Sequence, residues 1–148
     1  MKTIVFFAIV SFLFPAKSQD KTEIDYQEID IKCTQSTVAE QLIRSDAEYQ
    51  KLLEKRSIHP DCDSYTLPEI DFETYSLIGI HYLVAGCKNP DSDVHLYRLS
   101  DGSYQVKTSI TQYGICKRGN HVHKWILIPK IDNADMVSFE KTVTVNRK

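Results

Sequence analysis

The segment SLIGIHYLVAG, residues 76–86, is the part of this sequence that most restricts its fold. It is almost continuously apolar, yet it is much shorter than the about 20 apolar residues that a membrane-spanning helix needs. Its branched and aromatic side chains favour an extended backbone. The segment therefore predicts a central strand of a sheet.

Further strand patterns surround this segment. The pair Asp101-Gly102 is a strong signal for a tight turn, and the residues on both sides of it alternate between apolar and polar types, which predicts an antiparallel hairpin. Residues 123–130 form another apolar strand pattern, and residues 136–148 alternate as a final strand. Residues 19–32 read as an exposed lead-in that ends in a short strand.

One short helix is expected before the central strand. Residues 37–44 fit a strand or a helix, but Ser45 and Glu48 then form a capping box, so a helix should begin at Asp46 and end near residue 55. The apolar residues that share one face of this helix are Tyr49, Leu52 and Leu53. The sequence thus predicts an α+β, mainly β fold, with an antiparallel sheet, open barrel or sandwich and one short helix packed on it.

Residues 1–18 have the organisation of a secretory signal peptide. A basic residue precedes an apolar run over residues 4–14, and the tripeptide AKS at residues 16–18 has the small-x-small pattern of a cleavage site. The run is too short for a membrane anchor. We therefore expect a secreted or periplasmic protein that does not insert in the membrane after cleavage, with residues 19–148 as a single monomeric domain.

The charge of the mature chain argues against nucleic-acid binding. Removing residues 1–18 takes away two of the 18 basic residues and none of the 20 acidic ones, which leaves a formal net charge of −4. Basic and acidic residues alternate along the chain and form no extended basic patch with interleaved aromatics. We expect no nucleic-acid partner.

The four cysteines are Cys33, Cys62, Cys87 and Cys116. Disulfides form and persist in exported proteins, and four cysteines allow three pairings. Their spacing favours Cys33 with Cys62 and Cys87 with Cys116, each closing a loop of about 30 residues and stabilising the fold by on the order of 3 kcal/mol. Because the sequence lacks a CxxC pair and zinc-knuckle spacing, structural disulfides are favoured over thiol chemistry or a metal site.

Catalytic motifs are missing from the sequence. It contains no GxSxG nucleophile elbow, no phosphate-binding glycine loop and no obvious pair of cleft carboxylates, since the acids of residues 61–73 fit a solvated loop. We therefore assign no catalytic residue and no cofactor, and we do not expect an enzyme.

The pair His121 and His123 is the most pointed chemical feature. Residues two apart on a strand face the same side, so both imidazoles could bind one divalent metal. A third ligand would come from His81, His95 or Asp93. Ordinary surface histidines are the alternative interpretation.

Residues 116–124 are locally basic and could form an edge for an acidic partner protein. The side chains that can carry positive charge there are Lys117, Arg118, His121, His123 and Lys124. The expected partner-binding residues are Lys117, Arg118, His121, His123 and Trp125. We place this surface on loops around residues 87–93 and 114–124, where a Cys87–Cys116 bridge would pre-organise it.

A longer pattern carries a family resemblance. A helix containing EYQKLL is followed by a Pro-x-x-Asp-Phe motif at Pro68, Asp71 and Phe72, the apolar strand, a glycine turn, a DG hairpin and a strand that ends in Ile-Pro. Over residues 42–140 this order resembles the PrcB-like family of secreted bacterial domains associated with a protease complex. The Gly-Gly-Tyr turn of that family is Ala-Gly-Cys at residues 85–87 here.

The resemblance implies an exported, non-catalytic domain that binds or stabilises another protein, with a protease as one candidate partner. Within the motif we expect Phe72 to fill the core and Asp71 to accept backbone amides before the central strand. Two alternatives stay open. One is a protease inhibitor that uses a disulfide-braced loop, and the other is a metal-binding protein that uses His121 and His123.

Overall fold

The computed structural model describes residues 20–32, 34, 38–53, 62 and 65–147. The elements of this part of the chain are β1 Lys21–Ile24, β2 Gln27–Ile29, β3 Glu40–Ile43, α1 Asp46–Leu53, β4 Tyr75–Ala85, β5 Lys88–Leu99, β6 Tyr104–Tyr113, β7 Gly119–Pro129, a 3₁₀ turn at Ala134–Met136 and β8 Val137–Asn146. The predicted signal peptide, the region of the predicted helix end near residue 55, and Cys33 lie outside the described residues. The signal peptide and the Cys33–Cys62 pairing therefore stay predictions.

Two four-stranded sheets form the framework, in the orders β1-β5-β6-β8 and β2-β7-β4-β3. We call them the first and the second sheet. The predicted fold class is confirmed, including the central position of β4 and the antiparallel β5–β6 hairpin. All pairings are antiparallel except β6 with β8, which run parallel. The expected lead-in contains two short strands, β1 in the first sheet and β2 in the second, so the chain changes sheets between Ile24 and Gln27.

The main core lies between the two sheets. Its buried residues in the second sheet are Ile78, Ile80, Tyr82 and Val84 of β4 with Val122, Ile126 and Ile128 of β7. Those of the first sheet are Val94 and Leu96 of β5 with Val106 and Ile110 of β6. Each set follows the two-residue period of a strand.

The opposite, outer face of the second sheet is covered over part of its length by α1. Tyr49 and Leu52 of the helix join Leu77 of β4, Trp125 of β7 and Phe72 in a second buried cluster. This cover explains the apolar run in the sequence, because the first half of β4 is buried on both faces. Further along β4, the side chains of the outer face are no longer buried, starting at residue 81.

The capping box starts α1 as predicted. The amide of Glu48 donates to Ser45 Oγ at 3.3 Å, and Tyr49 N donates to the Ser45 carbonyl at 3.0 Å. The Glu48 carboxylate accepts from the amide of Arg44 at 2.7 Å, one residue before the position that a standard box uses. Two otherwise unpaired backbone donors are thereby satisfied at the start of the helix.

The Pro-x-x-Asp-Phe segment has the structural roles that we expected. Phe72 is 5% exposed and its ring lies 5.6 Å from that of Tyr49, centroid to centroid. Asp71 Oδ1 accepts from the amide of Glu73 at 3.0 Å. Hydrogen bonds to Thr74 and Glu73 lower the pKa of the Asp71 carboxyl. The segment therefore packs α1 on the sheet and starts β4.

Candidate functional site

Two connections cross between the sheets at the same end of the sandwich. Gly86 and Cys87 link β4 to β5, and residues 114–118 link β6 to β7. We call these two connections the crossover end. The predicted Cys87–Cys116 disulfide is confirmed and joins them, with 4.8 Å between the two Cα atoms. The bridge thus fastens one sheet to the other.

Backbone contacts make the crossover end a tight fit. Cys87 N donates to the carbonyl of Tyr113 at 2.6 Å, and the buried Asn120 side chain donates to the Gly86 carbonyl at 3.1 Å. Gly114 has a φ of 73°, and a Cβ there would overlap the Cys87 sulfur. Only glycine meets both conditions without strain. The connections are therefore held in one conformation.

The crossover end presents apolar and basic side chains to solvent. Ile115 is 77% exposed, and Leu83 at the adjoining end of β4 is 67% exposed. Lys117 and Arg118 are exposed as well, and neither forms an ion pair within the described part of the chain. Exposed apolar side chains with a charged rim are typical of interaction surfaces.

The loops that we predicted are shorter than expected. Residues 88–93 belong to β5 and residues 119–124 belong to β7, so only residues 86–87 and 114–118 are connections. The polar residues of these stretches suggested loops, but they alternate along strands whose second face is turned away from the core. The expected partner surface therefore combines a short connection with strand residues.

Trp125 does not lie on that surface, which corrects our expectation for this residue. It is 2% exposed, on the outer face of the second sheet beneath the cover that α1 provides. Its six-membered ring stands over Gly79, where an added Cβ would lie 2.5 Å from Cζ3. Its Nε1 has no hydrogen-bond partner among the described residues. Trp125 is a core residue of the fold.

Three histidines meet on the part of the outer face that α1 leaves open. His81 of β4 is paired in register with His123 of β7, and His121 is paired with Leu83. His81 Nε2 lies 2.9 Å from His121 Nδ1, and their ring centroids are 5.2 Å apart. The ring centroids of His81 and His123 are 5.5 Å apart. We call His81, His121 and His123 the histidine cluster.

The surroundings of His123 favour its neutral form. Desolvation lowers the pKa of His123, and the neighbouring His81 and His121 lower it further, while the Asp30 carboxylate acts in the opposite direction. The ring of His123 also meets Trp125 edge-on, with 5.5 Å between centroids. Neutral imidazole is the form that binds metals.

The other predicted ligands lie elsewhere. His95 and Asp93 belong to β5 in the first sheet, and His95 Nδ1 lies 2.6 Å from Glu23 Oε1 on β1. Lys124 directly follows His123 in sequence, but its ammonium contacts the Glu28 carboxylate at 3.1 Å. Of the three candidates for a third ligand, the structure brings His81 to the pair.

A groove of about 520 Å³ adjoins the histidine cluster along the β2 edge. It is lined by residues 28–32 and by His123, Lys124 and Trp125. The sequence alone does not predict this groove, because the groove depends on the pairing of β2 with β7. Within this groove, the Asp30 carboxylate forms an ion pair with the Lys32 ammonium at 2.9 Å.

With their side chains as the structure has them, no three or more His, Cys, Asp or Glu residues in the described part of the chain are arranged to hold a metal ion. No helix within the described ranges is long and apolar enough to cross a membrane. Comparisons of the chain with protein-family models, with curated proteins and with solved structures found no match.

Proposed function

We propose that this chain is a secreted, non-catalytic domain that binds another protein through its crossover end. The observation that carries the proposal is the exposure of Ile115, Lys117 and Arg118 on a connection that the Cys87–Cys116 disulfide braces, next to the end of β4 where Leu83 is exposed. Exposed apolar side chains beside charged ones are a feature that interaction sites share. The basic rim favours a partner with an acidic surface.

Rigidity supports this assignment. A flexible loop loses conformational entropy when it binds, and each immobilised side chain costs about 0.5–1.5 kcal/mol. The disulfide and the backbone hydrogen bonds of Gly86 and Cys87 fix this segment before any partner arrives. The braced connection is therefore suited to binding, either as a stabilising contact or as an inhibitory loop.

The signal-like N-terminus and the disulfide together support export, because disulfides persist in oxidising compartments. The PrcB-like pattern supports a protein partner, with a protease as the first candidate to test. These features agree with a role outside the cytosol, where the partner should be sought.

Capture of partners on the immobilised mature protein tests the proposal. Proteins retained from native secretions or cell envelope would be identified by mass spectrometry, and their affinity would then be measured for Ile115→Ser and Arg118→Glu. We expect each change to weaken binding by about tenfold or more. A tenfold loss corresponds to about 1.4 kcal/mol of binding free energy, which central interface residues commonly contribute. Both residues are exposed, so the fold should tolerate these changes.

Lys51→Glu provides the matched control. Lys51 is an exposed residue of α1, away from the crossover end, and its reversal changes the net charge as much as Arg118→Glu does. A partner that binds all three variants equally would refute the assignment of the surface. Adding a retained protease to its substrate in the presence of the domain then separates inhibition from stabilisation.

A further inference from the structure

The histidine cluster lies where the fold leaves part of a sheet face open. Helix α1 covers the outer face of the second sheet around Leu77 and Trp125. Beyond Gly79 on β4 and Trp125 on β7, the next outward residues are His81 and His123. Eleven residue pairs between β4 and β7 fix the backbone positions of all three histidines. The cluster is therefore built on a rigid ladder of hydrogen bonds, and its rings are reachable from solvent.

The spacing of the rings is close to what one metal ion requires. Two imidazole nitrogens that bind a tetrahedral Zn²⁺ at about 2.0–2.1 Å lie roughly 3.3 Å from each other. His81 Nε2 and His121 Nδ1 are 2.9 Å apart. An increase of a few tenths of an ångström in the distance between these two nitrogens would allow one ion to bind both.

His123 completes the set. Its ring centroid is 5.5 Å from that of His81, and the side chain is exposed, so rotation about its side-chain torsions can turn a nitrogen towards the same point without moving the strands. In the structure the His81 ring is stacked on that of His121 and tilted against that of His123. The three rings are not arranged to hold a metal ion in these rotamers. Binding therefore requires a change of rotamer and no change of fold.

We propose that the histidine cluster binds a divalent transition metal, with His81, His121 and His123 as its three protein ligands. Imidazole ligands suit Zn²⁺ and Cu²⁺, and three ligands on one face leave a fourth position open to water. When both rings are neutral, one of these two nitrogens donates a hydrogen bond to the other. For both nitrogens to bind the metal, the donor ring must adopt its other neutral tautomer, which carries the proton on the nitrogen that faces away from the ion.

The neighbourhood contains elements that support such a site. The ammonium of Lys124 is directed to Glu28 and so does not oppose the cation at close range. The buried ring of Trp125 packs against His123 and limits its movement on that side. This inference is independent of the proposed partner surface, since it depends on the three imidazoles alone.

Calorimetric titration of the metal-free mature protein with Zn²⁺ at neutral pH tests the proposal. We expect one Zn²⁺ per chain. Single changes of His81, His121 or His123 to Gln should each weaken binding by more than about 100-fold, because the loss of an outer contact to a metal ligand already costs about 10–100-fold. His95→Gln is the matched control, because His95 lies in the first sheet, and it should bind as the unchanged protein does.

Cu²⁺ gives an independent readout of the location. The chain has a single tryptophan, and its ring lies 5.5 Å from that of His123, so a Cu²⁺ ion in the cluster should quench the fluorescence of Trp125 strongly. Quenching should be lost in His81→Gln and His121→Gln and kept in His95→Gln. Circular dichroism of each variant checks that it is folded. Absence of stoichiometric Zn²⁺ binding, or equal binding by folded variants of all four histidines, would overturn the proposal.

Discussion

Gly79→Ala is the sharpest test of how the second sheet is packed. Gly79 stands beneath the ring of Trp125, and a Cβ at this position would lie 2.5 Å from Cζ3, 2.8 Å from Cη2 and 2.9 Å from the Gln41 amide nitrogen. Carbon atoms in contact normally lie about 3.5–4.0 Å apart, so the indole would have to move by about 1 Å. Trp125 is 2% exposed and packs in a buried cluster, so a shift of its ring disturbs its contacts there.

The expected loss of stability follows from two opposing effects. Overpacking of a core costs typically 1–3 kcal/mol. Replacement of glycine by alanine in a strand returns roughly 0.5–1 kcal/mol through the smaller entropy of the unfolded chain. We expect Gly79→Ala to lower the free energy of unfolding by about 1–2 kcal/mol.

Gly119→Ala is a control with the same chemical change in the neighbouring strand. Its Cβ would lie 2.9 Å from Leu83 Cδ1, but Leu83 is 67% exposed and can rotate away into solvent. The overpacking cost is then small, so this variant should be as stable as the unchanged protein or slightly more stable. The two variants should differ by about 1–3 kcal/mol, the size of the overpacking effect.

Urea denaturation followed by fluorescence measures this difference, because Trp125 is the only tryptophan of the chain. The midpoint should fall for Gly79→Ala with an unchanged slope, since the surface exposed on unfolding stays the same. Far-ultraviolet circular dichroism should give the same transition. If Gly79→Ala proves as stable as Gly119→Ala, the close packing of Trp125 on β4 is refuted.

Three further predictions concern the start of β4 and the crossover end. Phe72→Ala should cost about 3–5 kcal/mol in urea denaturation, because it removes a ring that is 5% exposed; an unchanged midpoint would show that Phe72 is not a core residue. The pKa of Asp71 is lower in the folded protein than its unfolded value of about 3.9, so the ionised carboxylate stabilises the fold above that pH. This stabilisation is lost as the pH falls towards the folded pKa. The free energy of unfolding, measured between pH 2 and 6, should therefore depend less steeply on pH in Asp71→Asn. Replacement of both Cys87 and Cys116 by Ser should lower the free energy of unfolding by on the order of 3 kcal/mol, and a much smaller loss would show that the bridge contributes little to the fold.

Local patterns predicted the local elements of this fold. The capping box at Ser45 starts α1, and the Asp101-Gly102 turn joins β5 to β6, with Gly102 at a φ of 84°. Both features depend on a few neighbouring residues. The parallel pairing of β6 with β8 was not predictable in this way, because it joins distant segments without a turn that would fix their register.

The candidate site was predictable only where it depends on residues that are close in sequence. Two-residue spacing placed His121 and His123 on one face, but three residues competed as the third ligand. Only the register of β4 against β7, in which His81 faces His123, decides between them. Trp125 follows the same outward alternation as the histidines, and it is buried because α1 covers its end of the strand. No local signal tells which part of a sheet face a helix will cover.

The two proposed sites share an edge, which links their behaviour. Leu83 lies opposite His121 in the β4–β7 register, between the histidine cluster and the exposed residues of the crossover end. A bound divalent ion adds positive charge next to Leu83, at the edge of the proposed partner surface. It should therefore strengthen the attraction of an acidic partner, and added salt should weaken that effect. We therefore expect a partner to bind more tightly with Zn²⁺ present, and to lose this gain in His121→Gln. A partner affinity that is the same with and without Zn²⁺, in a protein shown to bind the ion, would mean that the two surfaces act separately.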